Sequence, residues 1–340
     1  MANMKVKYMG LELKNPIIAG SSNLSTDPEN LKKIEKSGAG AIVYKSLFEE
    51  QIQLENLELH ERITEYDERN AEMITLFPGH LKDASFPLQH LENLKKAKES
   101  VSIPVFASLN ALNDEIWVEY AKELEKTGVD GLELNFYTTP DKSDYAPGEI
   151  EKRQVNTFKK VKSEIKIPVA VKLSPYYTNP LKLISELDNA GADAFVLFNR
   201  LFQTDIDVNT EEHMSPYSLS NVEDNRLPLR FAGLLYKNTR ASVCASTGIF
   251  SGYDVVKMIL AGADTVQVVS TLYLNQISVI ESMIREIKKW MESKGYETID
   301  SFRGKLSEIR SEDSLPFQRA QYIDFKMSTA AIMKKYRVIN

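Results

Sequence analysis

The chain has 340 residues, 43% hydrophobic and 26% charged, with a formal net charge of −6 and a single cysteine, Cys244. That cysteine count excludes a disulfide framework, an iron–sulfur cluster held by this chain's own thiolates and a Cys-rich zinc site. The mild acidity excludes the basic stripe of a nucleic-acid surface, and the apolar content excludes disorder. No run of eighteen apolar residues is present and the Lys-interrupted start lacks a leader's apolar core, so a cytoplasmic protein with no membrane or nucleic-acid partner is expected.

Residues 4–13, apolar at alternate positions around Met9-Gly10, predict a hairpin that plugs a barrel base. The first apolar run is Pro16-Ile17-Ile18-Ala19-Gly20, followed by an amphipathic helix over 28–37 and the second run, Ala41-Ile42-Val43-Tyr44. A long insertion over 49–91 carries His60, His80 and His90. The third run spans 103–109, and a helix over 114–127 leads to the fourth, Gly131-Leu132-Glu133-Leu134. Helices over 149–165 and 180–190 bracket the fifth run at 167–173 and precede the sixth, Ala194-Phe195-Val196-Leu197-Phe198. A polar loop over 199–225 leads into a helix over 225–236 and the seventh run, Ser242-Val243-Cys244-Ala245-Ser246. A helix over 252–261 precedes the eighth, Thr265-Val266-Gln267-Val268-Val269, and a polar tail after Trp290 is expected to wrap the barrel or serve an oligomer contact.

Gly38, Gly128, Gly191 and Gly262 each stand between a helical pattern and an apolar run, as helix C-caps needing positive φ. The runs are continuous rather than alternating, as in a parallel sheet buried on both faces. Eight of them alternating with helices predict a TIM (β/α)8 barrel, one domain over 1–340 with 291–340 as a C-terminal extension. The rival, an open doubly wound sheet, lacks its G-x-G-x-x-G signature here.

A barrel carries its active site at the C-terminal strand ends. Those ends supply Gly20 and Ser21; Lys45 and Ser46; Asn110; Asn135; Lys172; Asn199; Ser246, Thr247 and Gly248; and Ser270 and Thr271. Two lysines, four asparagines (Asn23 included) and small hydroxyls, with no histidine or carboxylate pair, suit a planar heterocycle carrying a phosphate rather than a metal or a hydrolase. The phosphate belongs at the loops after strands seven and eight, where Gly248 and Gly252 allow close backbone approach. Four histidines without metal spacing, His213 among them, read as surface or lid residues; Cys244 reads as core, and Lys95, Lys96 and Lys98 as a solvated helix face.

Lys14-Asn15-Pro16, Tyr44-Lys45-Ser46, Glu133-Leu134-Asn135-Phe136, Val171-Lys172-Leu173-Ser174-Pro175, Thr247-Gly248-Ile249 with Asp254, Ala261-Gly262-Ala263-Asp264, and Ser301-Phe302-Arg303-Gly304 occur in this order. Over roughly 5–304 the sequence resembles the FMN-dependent dihydroorotate dehydrogenase family, its class 1 branch in particular. The resemblance implies FMN as cofactor, a small-molecule substrate, a homodimer and a place in pyrimidine metabolism. It implies that Lys172 faces the N1/O2 edge of the flavin with Lys45 nearby, and that Asn110, Asn135 and Asn199 fix the ring or substrate. Ser246, Thr247, Gly248, Ser270 and Thr271 would hold the phosphate, with Gly20, Ser21 and Ser46 beside the ring. Lys45, Asn135, Asn199 and Arg200 are the substrate candidates, Arg200 for an anionic group; Tyr137 would stack near the flavin or simply pack.

Family members place a Cys or Ser, just before a Pro, on the loop after strand four to take a substrate proton. Here Thr139 precedes Pro140, with Thr138 beside it; a hydroxyl is a poor base unless a neighbour or a water relay accepts its proton. The family's Asn after that Pro is Asp141, an anion that would repel a carboxylate substrate such as orotate, and the family's substrate loop is not recognisable within 70–86. Two other readings stay open: an FMN-binding protein with changed or lost catalysis, and a barrel lyase or aldolase forming a Schiff base on Lys172. With no cysteines for its own cluster, a dehydrogenase of this kind needs a soluble acceptor or a partner chain.

Overall fold

The computed structural model describes residues 2–49, 88–111, 114–137, 146–200, 204–214, 219–311, 317, 326 and 328. β1 (Val6–Tyr8) and β2 (Leu11–Leu13) form the expected hairpin, turning at Met9 and Gly10, both at positive φ. The barrel strands follow as β3 (Ile17–Ala19), β4 (Ala41–Val43) with a short second piece β5 (Leu47–Phe48), β6 (Val105–Asn110), β7 (Gly131–Asn135), β8 (Val169–Leu173) and β9 (Ala194–Leu197). A small antiparallel hairpin, β10 (Asp205–Asp207) and β11 (Glu212–Met214), interrupts the polar loop before β12 (Ser242–Ser246) and β13 (Thr265–Val268) complete the barrel. Every barrel pairing is parallel, and β4 pairs with β6 to close the ring. The fold is a TIM (β/α)8 barrel.

The surrounding helices are α1 (Pro28–Lys36), α2 (Leu88–Ser100), α3 (Asp114–Lys126), α4 (Glu149–Glu164), α5 (Pro180–Asn189), α6 (Arg226–Leu235), α7 (Gly252–Ala261), the five-residue α8 (Ser270–Leu274) and α9 (Val279–Lys294). The four repeat glycines all sit at positive φ, between 82° and 141°. The aspartates two residues later have a further role. Asp130, Asp193 and Asp264 accept the N–H of Val105, Val169 and Val243, the first or second residue of the preceding barrel strand, each at 2.7 Å. Lys98, Lys162 and Arg303 pair with these three carboxylates. Lys98 is therefore a part-buried ion-pair partner, whereas Lys95 and Lys96 are exposed as expected.

The N-terminal hairpin plugs the barrel base. Tyr8 is 1% exposed and meets the edge of Phe106 at 5.7 Å, and the Met9 N–H donates to Ser242 Oγ. Cys244 is core, and burial pushes its thiol up to about 12. Just past α9, residues 295–311 lie against α7: Gly304 and Leu306 donate backbone N–H groups to Ile259 and Leu260, and Tyr296 stacks on Trp290.

Candidate active site

Side chains alternate along a strand, so residues two apart share a face. Glu133 and Asn135 on β7 therefore both point inward, as do Ala170 and Lys172 on β8. The register sets Ser108, Glu133 and Ala170 in one layer and Asn135 and Lys172 in the layer above, at the C-terminal rim. A cleft of about 220 Å³ opens at that rim. Of the residues expected there, Ser21, Lys172, Asn199, Arg200, Ser246, Thr247, Gly248 and Ser270 line it.

Others stand one contact behind this lining. Gly20 borders the cleft: a Cβ there would come 2.7 Å from Val269 Cγ2 and 3.3 Å from Gln267 Oε1. Ser46 donates its N–H to Ser21 Oγ at 2.8 Å, and its own Oγ lies 2.6 Å from Ser108 Oγ. Asn110 Nδ2 donates to the Asn135 backbone carbonyl at 2.9 Å, and Asn199 Nδ2 donates to Asn135 Oδ1 at 2.6 Å, so Asn135 is held through both its main chain and its side chain. Thr271 is fully buried behind Ser270 and accepts from Asn275 Nδ2. Thr138 and Thr139 lie outside the described residues, as do Asp141, His60 and His80.

Lys172 and its surroundings are the electrostatic centre. Its side chain is 12% exposed and its ammonium lies 3.8 Å from Glu133 Oε1. Glu133 is 2% exposed and accepts from Gln267 Nε2 at 2.5 Å through its other oxygen. Glu133 Oε1 and Gln267 Oε1 are both buried without a hydrogen-bond partner among the described residues. Sequence reasoning missed Glu133 and Gln267. A carboxylate at an odd position inside an apolar run, two residues before a rim asparagine, was the available signal.

The corner after β12 is tightly formed. Thr247 has φ 83°, an outlier for a β-branched residue, and its Oγ1 donates to the Phe198 carbonyl at 3.0 Å. Gly248 follows at φ 74°, and a Cβ there would run into the Asn225 N–H and the Asn221 carbonyl. Ser220, unremarked in the sequence, donates through Oγ to Ser270 Oγ at 2.8 Å. Gly252 does not open onto the cleft. A Cβ on it would strike Met283 O, its N–H is taken by Glu286, and Ser251 and Asp254 cap the helix behind it. Arg200 Nε sits 3.4 Å from Asp224 Oδ2, which shares its charge.

His90 departs from the surface reading. Its ring packs edge-on against Tyr44 at 5.4 Å and Nε2 is buried without a partner among the described residues. Burial, with the Lys45 charge nearby, lowers its pKa to about 4. His213 lies on the exposed β11.

The family model described as Dihydroorotate dehydrogenase matches residues 3–291. The chain is 26% identical over 317 residues to the Dihydroorotate dehydrogenase B (NAD(+)), catalytic subunit, of Methanocaldococcus jannaschii, covering 90% of this chain and 98% of that one. It is 29% identical to the protein of the same name from Methanocella arvoryzae, over 84% of this chain and 92% of that one. It is 25% identical to Dihydroorotate dehydrogenase A (fumarate) of Lactobacillus helveticus, covering 90% and 99%.

Proposed function

Because the chain belongs to the dihydroorotate dehydrogenase family, we propose that it is an FMN-dependent oxidoreductase acting on a C–C bond of a small cyclic substrate, dihydroorotate or a related compound. The observation that carries this reading is the Lys172 ammonium, facing a cleft lined by amides, hydroxyls and Gly248, together with Arg200 and the apolar Phe198, Leu219 and Ile249.

The residues present fit FMN. Gln267 Oε1 is a buried acceptor without a donor among the described residues, Lys172 supplies one cation, and a Cβ at Gly20 would push against Val269 and Gln267 at the cleft wall. Ser220, Ser270, Thr247 and Gly248 would hold the phosphate, with Ser246 alongside; Gly20, Ser21 and Ser46 would flank the ring. FMN, when bound, supplies a two-electron acceptor. Lys172 would place positive charge where negative charge develops, a form of preorganised stabilisation that costs no reorganisation during reaction. Asn110, Asn135 and Asn199 would orient the ring or substrate, with Asn135 already held by the other two, and Lys45 and Arg200 would meet its polar groups. Thr139, or Thr138 beside it, would take the substrate proton.

The names of two relatives, which call them catalytic subunits, support a partner chain here, and such a partner would be the electron acceptor. Asp141, where the family has Asn, favours a second reading in which the cofactor is kept and the substrate is no longer a carboxylate. One experiment separates the two: add dihydroorotate to the FMN-loaded protein without oxygen. Bleaching of the flavin band supports dihydroorotate oxidation; an unchanged band sinks that substrate and leaves the second reading.

A further inference from the structure

We infer that Glu133 is a positioning residue for Lys172, a fixed counter-charge that limits how strongly the lysine stabilises negative charge in the cleft. The inference rests on the FMN reading above and deepens it.

Three observations converge. Glu133 is a carboxylate inside the barrel, 2% exposed, a location that strongly disfavours an ion without compensation. Its compensation is incomplete: Oε2 accepts from Gln267, while Oε1 has no hydrogen bond among the described residues. Among the described residues the Lys172 ammonium pairs with that oxygen at 3.8 Å, close enough for strong attraction and too far for a hydrogen bond. Gln267 also lines the cleft, so it holds Glu133 from the side the ligand would occupy. Lys172 thus stands between a buried anion below and the cleft above. A ligand that gains negative charge competes with Glu133 for one ammonium.

Glu133→Gln removes the charge and keeps the shape, and its amide oxygen still accepts from Gln267. Sulfite is the probe, because its adduct with oxidised flavin places negative charge on the ring. With FMN loaded, E133Q should bind sulfite about tenfold more tightly than the wild type, while Lys172→Met binds it more weakly. Sulfite affinity within twofold of wild type, or weaker, in E133Q overturns the inference. A second measurement needs no flavin. In the FMN-free protein, a double-mutant cycle of E133Q and K172M should show non-additive unfolding, by at least about threefold in the equilibrium constant. Additive unfolding also overturns it. A wild-type protein that takes up no FMN overturns the cofactor reading itself, an outcome visible before any variant is made.

Discussion

Asn199 Nδ2 donates to Asn135 Oδ1 at 2.6 Å, an amide bridge that arches over the end of β8. The Asn199 backbone N–H also donates to Leu173 on that strand. Lys172, the residue before Leu173, therefore emerges inside a frame made by its neighbours on both sides. Asn199→Ala would leave Asn135 Oδ1 without its donor at a site only 7% exposed. A loss of about 1–3 kcal/mol in unfolding free energy is expected, measured by urea titration. Ring binding should weaken in parallel.

Lys172→Met should retain the barrel and lose its main electrostatic contribution. The rate of flavin reduction by the true substrate should fall about 100- to 1,000-fold, in line with removal of one preorganised charge-stabilising group. Anaerobic stopped-flow absorbance measures this. A rate within threefold of wild type would show that Lys172 does not face the reacting charge.

Gly248→Ala should damage the cleft without touching any charged group. Alanine is strained at φ 74°, and its Cβ would meet backbone of the turn at 221–225. The strain alone is worth about 1–2 kcal/mol, and the clash adds to it. FMN affinity should drop at least tenfold, read by quenching of flavin fluorescence.

Much of the barrel was legible because its signals are local. The Gly-x-Asp repeat marks helix ends and strand starts. The structure adds why the aspartate recurs: Asp130, Asp193 and Asp264 each fix the neighbouring strand through a backbone N–H. The rim residues were legible because strand ends fix their address. Glu133 was not, since its importance depends on Gln267, 134 residues away, meeting it across the barrel. Gly252 was misread as a ligand-facing glycine, because only tertiary packing reveals Met283 and Glu286 against it. His90 likewise gave no local sign that Tyr44 would cover its ring.

That burial has a consequence for acid stability. The His90 pKa falls from 6.5 to about 4 on folding, so between those values the unfolded chain binds the extra proton. Its contribution is complete above pH 6.5 and is lost as pH falls towards 4, with a maximum on the order of 3 kcal/mol. His90→Gln should flatten the wild-type loss across that window in denaturant titrations run at stepped pH. Equal slopes for the two proteins would show that the ring is accessible to protons in the folded state.

Whether this cleft holds FMN is read by titrating the purified protein with FMN and following flavin fluorescence. Saturable quenching at one FMN per chain is expected, with affinity reduced in Gly248→Ala. Fluorescence that rises linearly with added FMN, as for flavin free in solution, would contradict it.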